Sequence, residues 1–264
     1  MGKTGPSFPR NCKLSLWEIK KSFSKGGSSL AVLLDISLFA SPGEFISILG
    51  PSGCGKSTLF NVVAGLIQRD GGIISIDNRE VESGLGDIAY MQQKDLLFPW
   101  RSVIQNVFLG PEISGEINEG VRNEALELMT RVGLRDFAGN YPAELSIGMR
   151  QRAALVRTLL FHKDILLLDE PFGALDAMTR SVMQHILIGL WMDYQKTILL
   201  VTHDVEEALL LSDRIYELTA RPAAVKGEVG VGIPRPRKVT DSRFVSLKGF
   251  LLDMLQEEIE RVFA

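Results

Sequence analysis

Cysteine is nearly absent. The 264 residues hold two, Cys12 and Cys54, too few for a disulfide framework or a cysteine-built metal site, and this points to a reducing, cytosolic setting. Long apolar runs are absent as well. No stretch approaches the roughly 18 residues that a bilayer-spanning helix needs, so any membrane role must come through a partner. Neither sign of charge is in surplus: 29 basic residues face 32 acidic ones, a net charge of −3, which argues against bulk binding of nucleic acid. Residues 1–11 carry Lys3 and Arg10 without an apolar segment behind them, so they lack the form of a secretory signal. Their Gly, Pro and Ser content suggests a loose tail. There is no internal repeat and no low-complexity tract.

What is present is more specific. The apolar run Phe45-Ile46-Ser47-Ile48-Leu49 leads straight into Gly50-Pro51-Ser52-Gly53-Cys54-Gly55-Lys56-Ser57-Thr58. This is G-x-x-x-x-G-K-[ST] between a buried-strand pattern and a helix pattern, the context that makes the motif a phosphate site. The glycines let the backbone curl so that several N–H groups face one anion, and the helix behind them adds its positive end. Lys56 is expected to reach the β- and γ-phosphates and Ser57 to offer its hydroxyl to Mg²⁺. An ordinary glycine-rich turn would not match every fixed position and both flanks. The chain is expected to bind a nucleoside triphosphate.

Residues 14–20 alternate apolar and polar as a half-buried strand does. Residues 24–29 read as a flexible hairpin connection, and 30–39 and 45–49 as strands. Leu59, Val63 and Leu66 mark one helix face, and Gly71-Gly72 a turn into a strand over 73–76. From about 94 to 160 the character is helical. Val121, Ala125, Leu128 and Val132 form one stripe there, Met149, Ala153, Val156 and Leu160 another, and Gly133 is a helix stop. The short apolar runs 165–168 and 198–201 suit parallel strands covered on both faces, with Met178, Val182, Ile186 and Leu190 as the stripe of a helix between them. Strands are expected at 214–218 and 225–231. A closing helix is expected over 243–262, with Phe250, Met254 and Leu255 on its buried side. The reading is an α/β core carrying an inserted helical subdomain.

The run 165–168 ends in Asp169-Glu170. A parallel strand beside the phosphate-loop strand would deliver both carboxylates to the sheet edge where ligands gather, Asp169 to hold Mg²⁺ and Glu170 to polarise an attacking water. With that pair in view the sequence resembles the ATP-binding subunits of ABC transporters. The likeness covers about residues 14–237 and rests on motifs in order: residues 50–58; Gln93 before Lys94-Asp95-Leu96-Leu97-Phe98-Pro99-Trp100; Leu145-Ser146-Ile147-Gly148-Met149-Arg150-Gln151-Arg152; Leu168-Asp169-Glu170-Pro171; Ala174-Leu175-Asp176; and Thr202-His203-Asp204. Within the family it is similar to the nitrate, sulfonate and taurine importers, through Phe98-Pro99-Trp100, Pro171-Phe172-Gly173-Ala174-Leu175-Asp176, and Arg221-Pro222 followed by Pro234-Arg235-Pro236-Arg237.

The resemblance implies a P-loop NTPase core over 12–238, with a mixed sheet flanked by helices, an antiparallel β subdomain and the helical insert at about 94–160, followed by a C-terminal helical extension over 239–264. It implies a homodimer that traps two ATP molecules. Each would lie between the phosphate loop of one copy and the Ser146 segment of the other. Ser146 would offer its hydroxyl and Gly148 its N–H to the γ-phosphate, although Ser146 also reads as a plain N-cap. Ile147 stands where glycine is usual, and a β-branched residue tolerates positive φ poorly. Either its backbone is ordinary or the sandwich forms less well, and Ile147→Gly is expected to raise turnover.

His203 would contact the γ-phosphate and link it to Glu170. Gln93, chosen over Gln92 for its spacing to Leu97-Phe98-Pro99, would sense metal and water. Phe23 would stack on adenine, or be a routine core residue, and Asp176 would sit at the subunit interface, or cap a helix. Catalysis falls to Lys56, Glu170 and His203, and Mg²⁺ to Ser57, Gln93 and Asp169. The implied partners are integral membrane permease subunits and, indirectly, a solute-binding protein, at the cytoplasmic face of the inner membrane. A non-transport ATPase of the same superfamily, or an unrelated phosphate-loop kinase or GTPase, are the rival readings. The single phosphate-loop motif and the absence of heptads speak against the first, and the 145–149 and His203 motifs are not needed by the second.

Overall fold

The computed structural model describes residues 11–25 and 28–263. The tail expected at 1–11, apart from Asn11, and Gly26-Gly27 of the expected hairpin connection lie outside the described residues. In chain order the elements are β1 (Leu14–Lys25), β2 (Ser28–Ala40), β3 (Phe45–Leu49), α1 (Lys56–Val63), β4 (Gly71–Ile76), β5 (Arg79–Val81), β6 (Ile88–Met91), α2 (Val103–Val107), α3 (Leu109–Ser114), α4 (Glu119–Arg131), α5 (Ile147–Leu159), β7 (Ile165–Asp169), α6 (Ala177–Tyr194), β8 (Thr197–Val201), α7 (Val205–Leu211), β9 (Arg214–Leu218), β10 (Val225–Gly230) and α8 (Ser242–Phe263). They divide into two compact units, Met1–Asp87 with Lys196–Ala264, and Ile88–Gln195. The stretch expected as an insert, 94–160, lies within the second.

In the first unit β3 is flanked in parallel by β8 and β9, and β10 runs antiparallel against β9. Every residue of β3 and β8 is buried. A strand covered on both faces loses the apolar–polar alternation, which is why these read as nearly continuous apolar runs, broken only by the buried Ser47 and Thr197. The second sheet, in the order β2-β1-β4-β5, is antiparallel throughout. Its first hairpin is tighter than expected, because Ser24 pairs with Ser29 and Lys25 with Ser28. Gly71 and Gly72 belong to β4 rather than to a turn before it. Gly72 has φ 92°, and a Cβ there would stand 2.5 Å from the Trp17 and Glu18 carbonyl oxygens. Glycine marks a close approach of two backbones here, not a change of direction.

Two helix faces also differ from expectation. Leu66 lies beyond the end of α1 and is exposed. On α8 the buried apolar residues are Phe244, Leu251 and Leu255, packed with Leu49, Leu209 and Ile215, while Phe250 is exposed and Met254 half-buried.

In the second unit β6 and β7 form a parallel pair. Helices α2, α4, α5 and α6 start where polar side chains accept the first free N–H groups: Ser102 in a capping box with Gln105, Asn118, Ser146 and Asp176. Gly133, at φ 68°, follows the end of α4 as expected. The stripe expected on α6 is displaced. Met178 and Val182 are exposed, and the buried residues are Met183, Gln184, Leu187 and Leu190.

Candidate active site

The residues expected to act are divided between the two units. In the first, fully buried β3 ends at Leu49 and the loop turns at once. Gly53 and Gly55 take φ 74° and 132°, values that side chains resist. At Gly55 a Cβ would also press within 3.0 Å of Val32 Cγ1. Gly55 is the N-cap of α1. It brings no side-chain oxygen, and the first turn holds no acidic residue, so the helix's positive end is not neutralised by the chain itself. Lys56 is 6% exposed, and its ammonium donates to the carbonyls of Gly50 at 2.7 Å and Pro51 at 2.9 Å. The loop thus folds over its own cation. Pro51 is buried, Ser52 and Ser57 are exposed and Thr58 is half-buried. The Cys54 thiol is buried, and that burial pushes its pKa up against the opposing pull of Lys56, so it fills space as a neutral group.

Phe23, near the end of β1, is 39% exposed, with the Lys21 ammonium 5.5 Å from its ring centroid. This excludes a routine core role and leaves an aromatic face open to a planar ligand. His203 follows β8 and is exposed. Its neighbours are turned inward: Thr202 donates to Glu207 at 3.1 Å, and Asp204 caps α7.

In the second unit β7 ends at Asp169, which is 2% exposed, and Tyr90 on β6 donates to its Oδ2 at 3.3 Å. Burial and the adjoining carboxylate push the Tyr90 phenol far above its ordinary value, so it stays protonated and can donate to Asp169. The next residue, Glu170, has φ 48°, a sparsely populated region for a non-glycine residue that recurs at functional sites. Gln93 Nε2 donates to Glu170 Oε2 at 3.1 Å. Gln93, and not Gln92, therefore joins the carboxylate. Ser146 accepts from Met149 N–H at 3.2 Å as the N-cap of α5. Ile147 opens the helix with ordinary helical backbone and an exposed side chain, so positive φ is not required of it. At Gly148 a Cβ would stand 2.8 Å from Leu175 Cδ2. Asp176 caps α6, and the hydroxyl and N–H of Thr179 hold its carboxyl below the ordinary range.

Sequence reasoning missed several supports. Arg150 bonds Asp95 at 3.0 Å, and Arg157 donates to the carbonyls of Asp95 and Leu96, so α5 pins the segment after Gln93. Tyr90 was legible only through the register that sets β6 against β7. The oxygen donors of Ser57, Gln93 and Asp169 are the hard ligands that Mg²⁺ selects, and no group of three His, Cys, Asp or Glu suited to a metal occurs among the described residues.

Residues 33–173 match the family model described as ABC transporter. The chain is 41% identical to the aliphatic sulfonates import ATP-binding protein SsuB of Bacillus licheniformis, over 89% of this chain and 91% of that one. It is 45% identical to the taurine import ATP-binding protein TauB of Jannaschia sp., over 76% and 75%. Among solved structures, the dimeric post-hydrolysis state of the ATP-binding cassette MJ0796 bound to ADP and Pi superposes with a TM-score of 0.74 at 31% identity, covering 84% of this chain and all of that one.

Proposed function

The chain belongs to the ABC transporter family, as an ATP-binding and ATP-hydrolysing subunit, and from that premise we propose that it is the motor of an importer for a small solute of the nitrate, sulfonate and taurine kind. It works at the cytoplasmic face of the membrane against separate permease subunits, with a solute-binding protein upstream. No helix among the described residues is long and apolar enough to cross a membrane, in keeping with a peripheral subunit.

The loop 50–58 grips the triphosphate through its N–H groups and Lys56, and Phe23 receives the adenine. Ser57, Asp169 and Gln93 would hold Mg²⁺, which would supply positive charge against the phosphates. Glu170 orients water and His203 steadies the γ-phosphate. Ser146 and Gly148 of a second copy close over the nucleotide, and Asp176 joins the two copies. Residues 94–160 act as a helical arm, and 239–264 as an extension of the core.

The observation that carries the hydrolytic assignment is the Glu170 carboxylate held by Gln93 on a left-handed backbone. The test is Glu170→Gln. It is expected to bind ATP like the native chain while turnover falls by roughly two orders of magnitude or more, the usual scale for loss of a general base. Normal turnover would remove Glu170 from that role. Lys56→Ala is expected to weaken ATP binding itself.

A further inference from the structure

Two buried carboxyl groups in the first unit stand outside the machinery above. Glu217 and Glu258 are each 1% exposed. Glu217 lies on β9 opposite Leu49, the residue that precedes the phosphate loop. Neither of its carboxyl oxygens has a hydrogen-bond partner among the described residues. Burial pushes its pKa up from 4.5 to about 7; Lys226 opposes the rise, and Glu258 and Glu257 add to it. The charged groups that face it are Lys226 on β10 and Glu257 and Glu258 on α8, with Arg261 behind Glu258.

Glu258, in contrast, is fully engaged. Its Oε2 accepts from Ala220 N–H at 3.0 Å, and its Oε1 meets Lys226 Nζ at 3.1 Å and Arg261 Nη1 at 2.6 Å. Lys226 also donates to the Met254 carbonyl at 2.7 Å and to Glu257 at 2.9 Å. One carboxylate on α8 therefore holds the connection between β9 and β10. That connection backs the phosphate loop at both ends. Leu218 Cβ and its carbonyl oxygen lie 3.2 Å from where a Cβ on Gly50 would stand. Ala223 exchanges hydrogen bonds of 2.8 Å with Val32 O and Leu34 N–H, and Val32 and Leu33 side chains lie 3.0 and 3.1 Å from the Cβ position of Gly55.

We propose that Glu258 is a positioning residue for the phosphate loop and that ionisation of Glu217 releases it. With Glu217 neutral, Glu258 fixes Ala220 and the loop is set for the triphosphate. With Glu217 ionised, Lys226 is drawn away from Glu258 and the two carboxylates repel, so the connection slackens and the nucleotide is held less tightly. This rests on residues 50–58 being the triphosphate site.

The experiment is ATP binding by the full chain, titrated from about pH 6 to about pH 8.5 at fixed free Mg²⁺. The native dissociation constant is expected to rise roughly three- to tenfold across that range, the scale of coupling between neighbouring charged groups. Glu217→Gln is expected to keep the low-pH affinity throughout. Protons on ATP titrate in both experiments, so the difference between the two profiles isolates Glu217. At the low-pH end Glu258→Ala is expected to raise the dissociation constant by a similar factor with little change in kcat. Glu258→Gln, whose amide oxygen still accepts from Ala220 but which loses the Lys226 and Arg261 ion pairs, is expected to restore it in part. Parallel profiles for the native chain and Glu217→Gln overturn the proposal, as does a Glu258→Ala variant that melts earlier yet binds ATP as the native chain does. Lys56→Ala separates the two possible failures. If it binds ATP normally, the phosphate-loop reading falls; if it binds weakly while the Glu217→Gln profile parallels the native one, only this inference falls.

Discussion

Glu170 and Ile147 show how far single residues govern the chemistry. Glu170 adopts φ 48°, a conformation that costs on the order of 1–3 kcal/mol and persists only where the surroundings impose it. Here the imposing groups are buried β7 behind it and Gln93 beside it. Ile147 poses the reverse case. The sequence offered two explanations, a strained backbone or an ordinary one, and the helix that starts at Ile147 satisfies the second. What remains is the bulk of an exposed β-branched side chain at the helix tip. Ile147→Gly is therefore expected to raise ATP turnover at saturating nucleotide. It is also expected to lower stability by about 0.5–1 kcal/mol, the helix penalty of glycine. Steady-state phosphate release and urea unfolding on the same preparation would read both, and unchanged or slower turnover would clear the isoleucine of any handicap.

At the scale of elements, legibility followed how local the determining contacts are. The phosphate loop, Asp169-Glu170 and the helix starts at Ser146 and Asp176 are written in contiguous residues, and each lies where its motif reads. The buried faces of α6 and α8 are not. Met178, Val182, Met183, Ile186, Leu187, Leu190 and Trp191 surround α6, so periodicity alone cannot choose a stripe. The Tyr90–Asp169 and Arg157–Asp95 bonds join residues more than 60 positions apart and leave no local signal. Gly72 was misread for the same reason, since the Trp17 and Glu18 carbonyls that demand a glycine lie on another strand. Gly72→Ala is expected to destabilise the antiparallel sheet by about 3 kcal/mol or more, combining positive φ with a backbone clash. A urea midpoint matching the native chain would contradict that contact.

At the scale of the whole molecule, one chain is not a complete engine in the proposed mechanism. The phosphate grip and the Ser146 helix tip are both present, and in the proposed mechanism they serve different nucleotides, each completed by a second copy. The most direct test is the solution mass of Glu170→Gln with ATP and Mg²⁺, by light scattering. Twice the subunit mass is expected from the shared site, falling to one on removal of nucleotide. A variant that binds ATP and stays monomeric, including when joined to its permease, would contradict it.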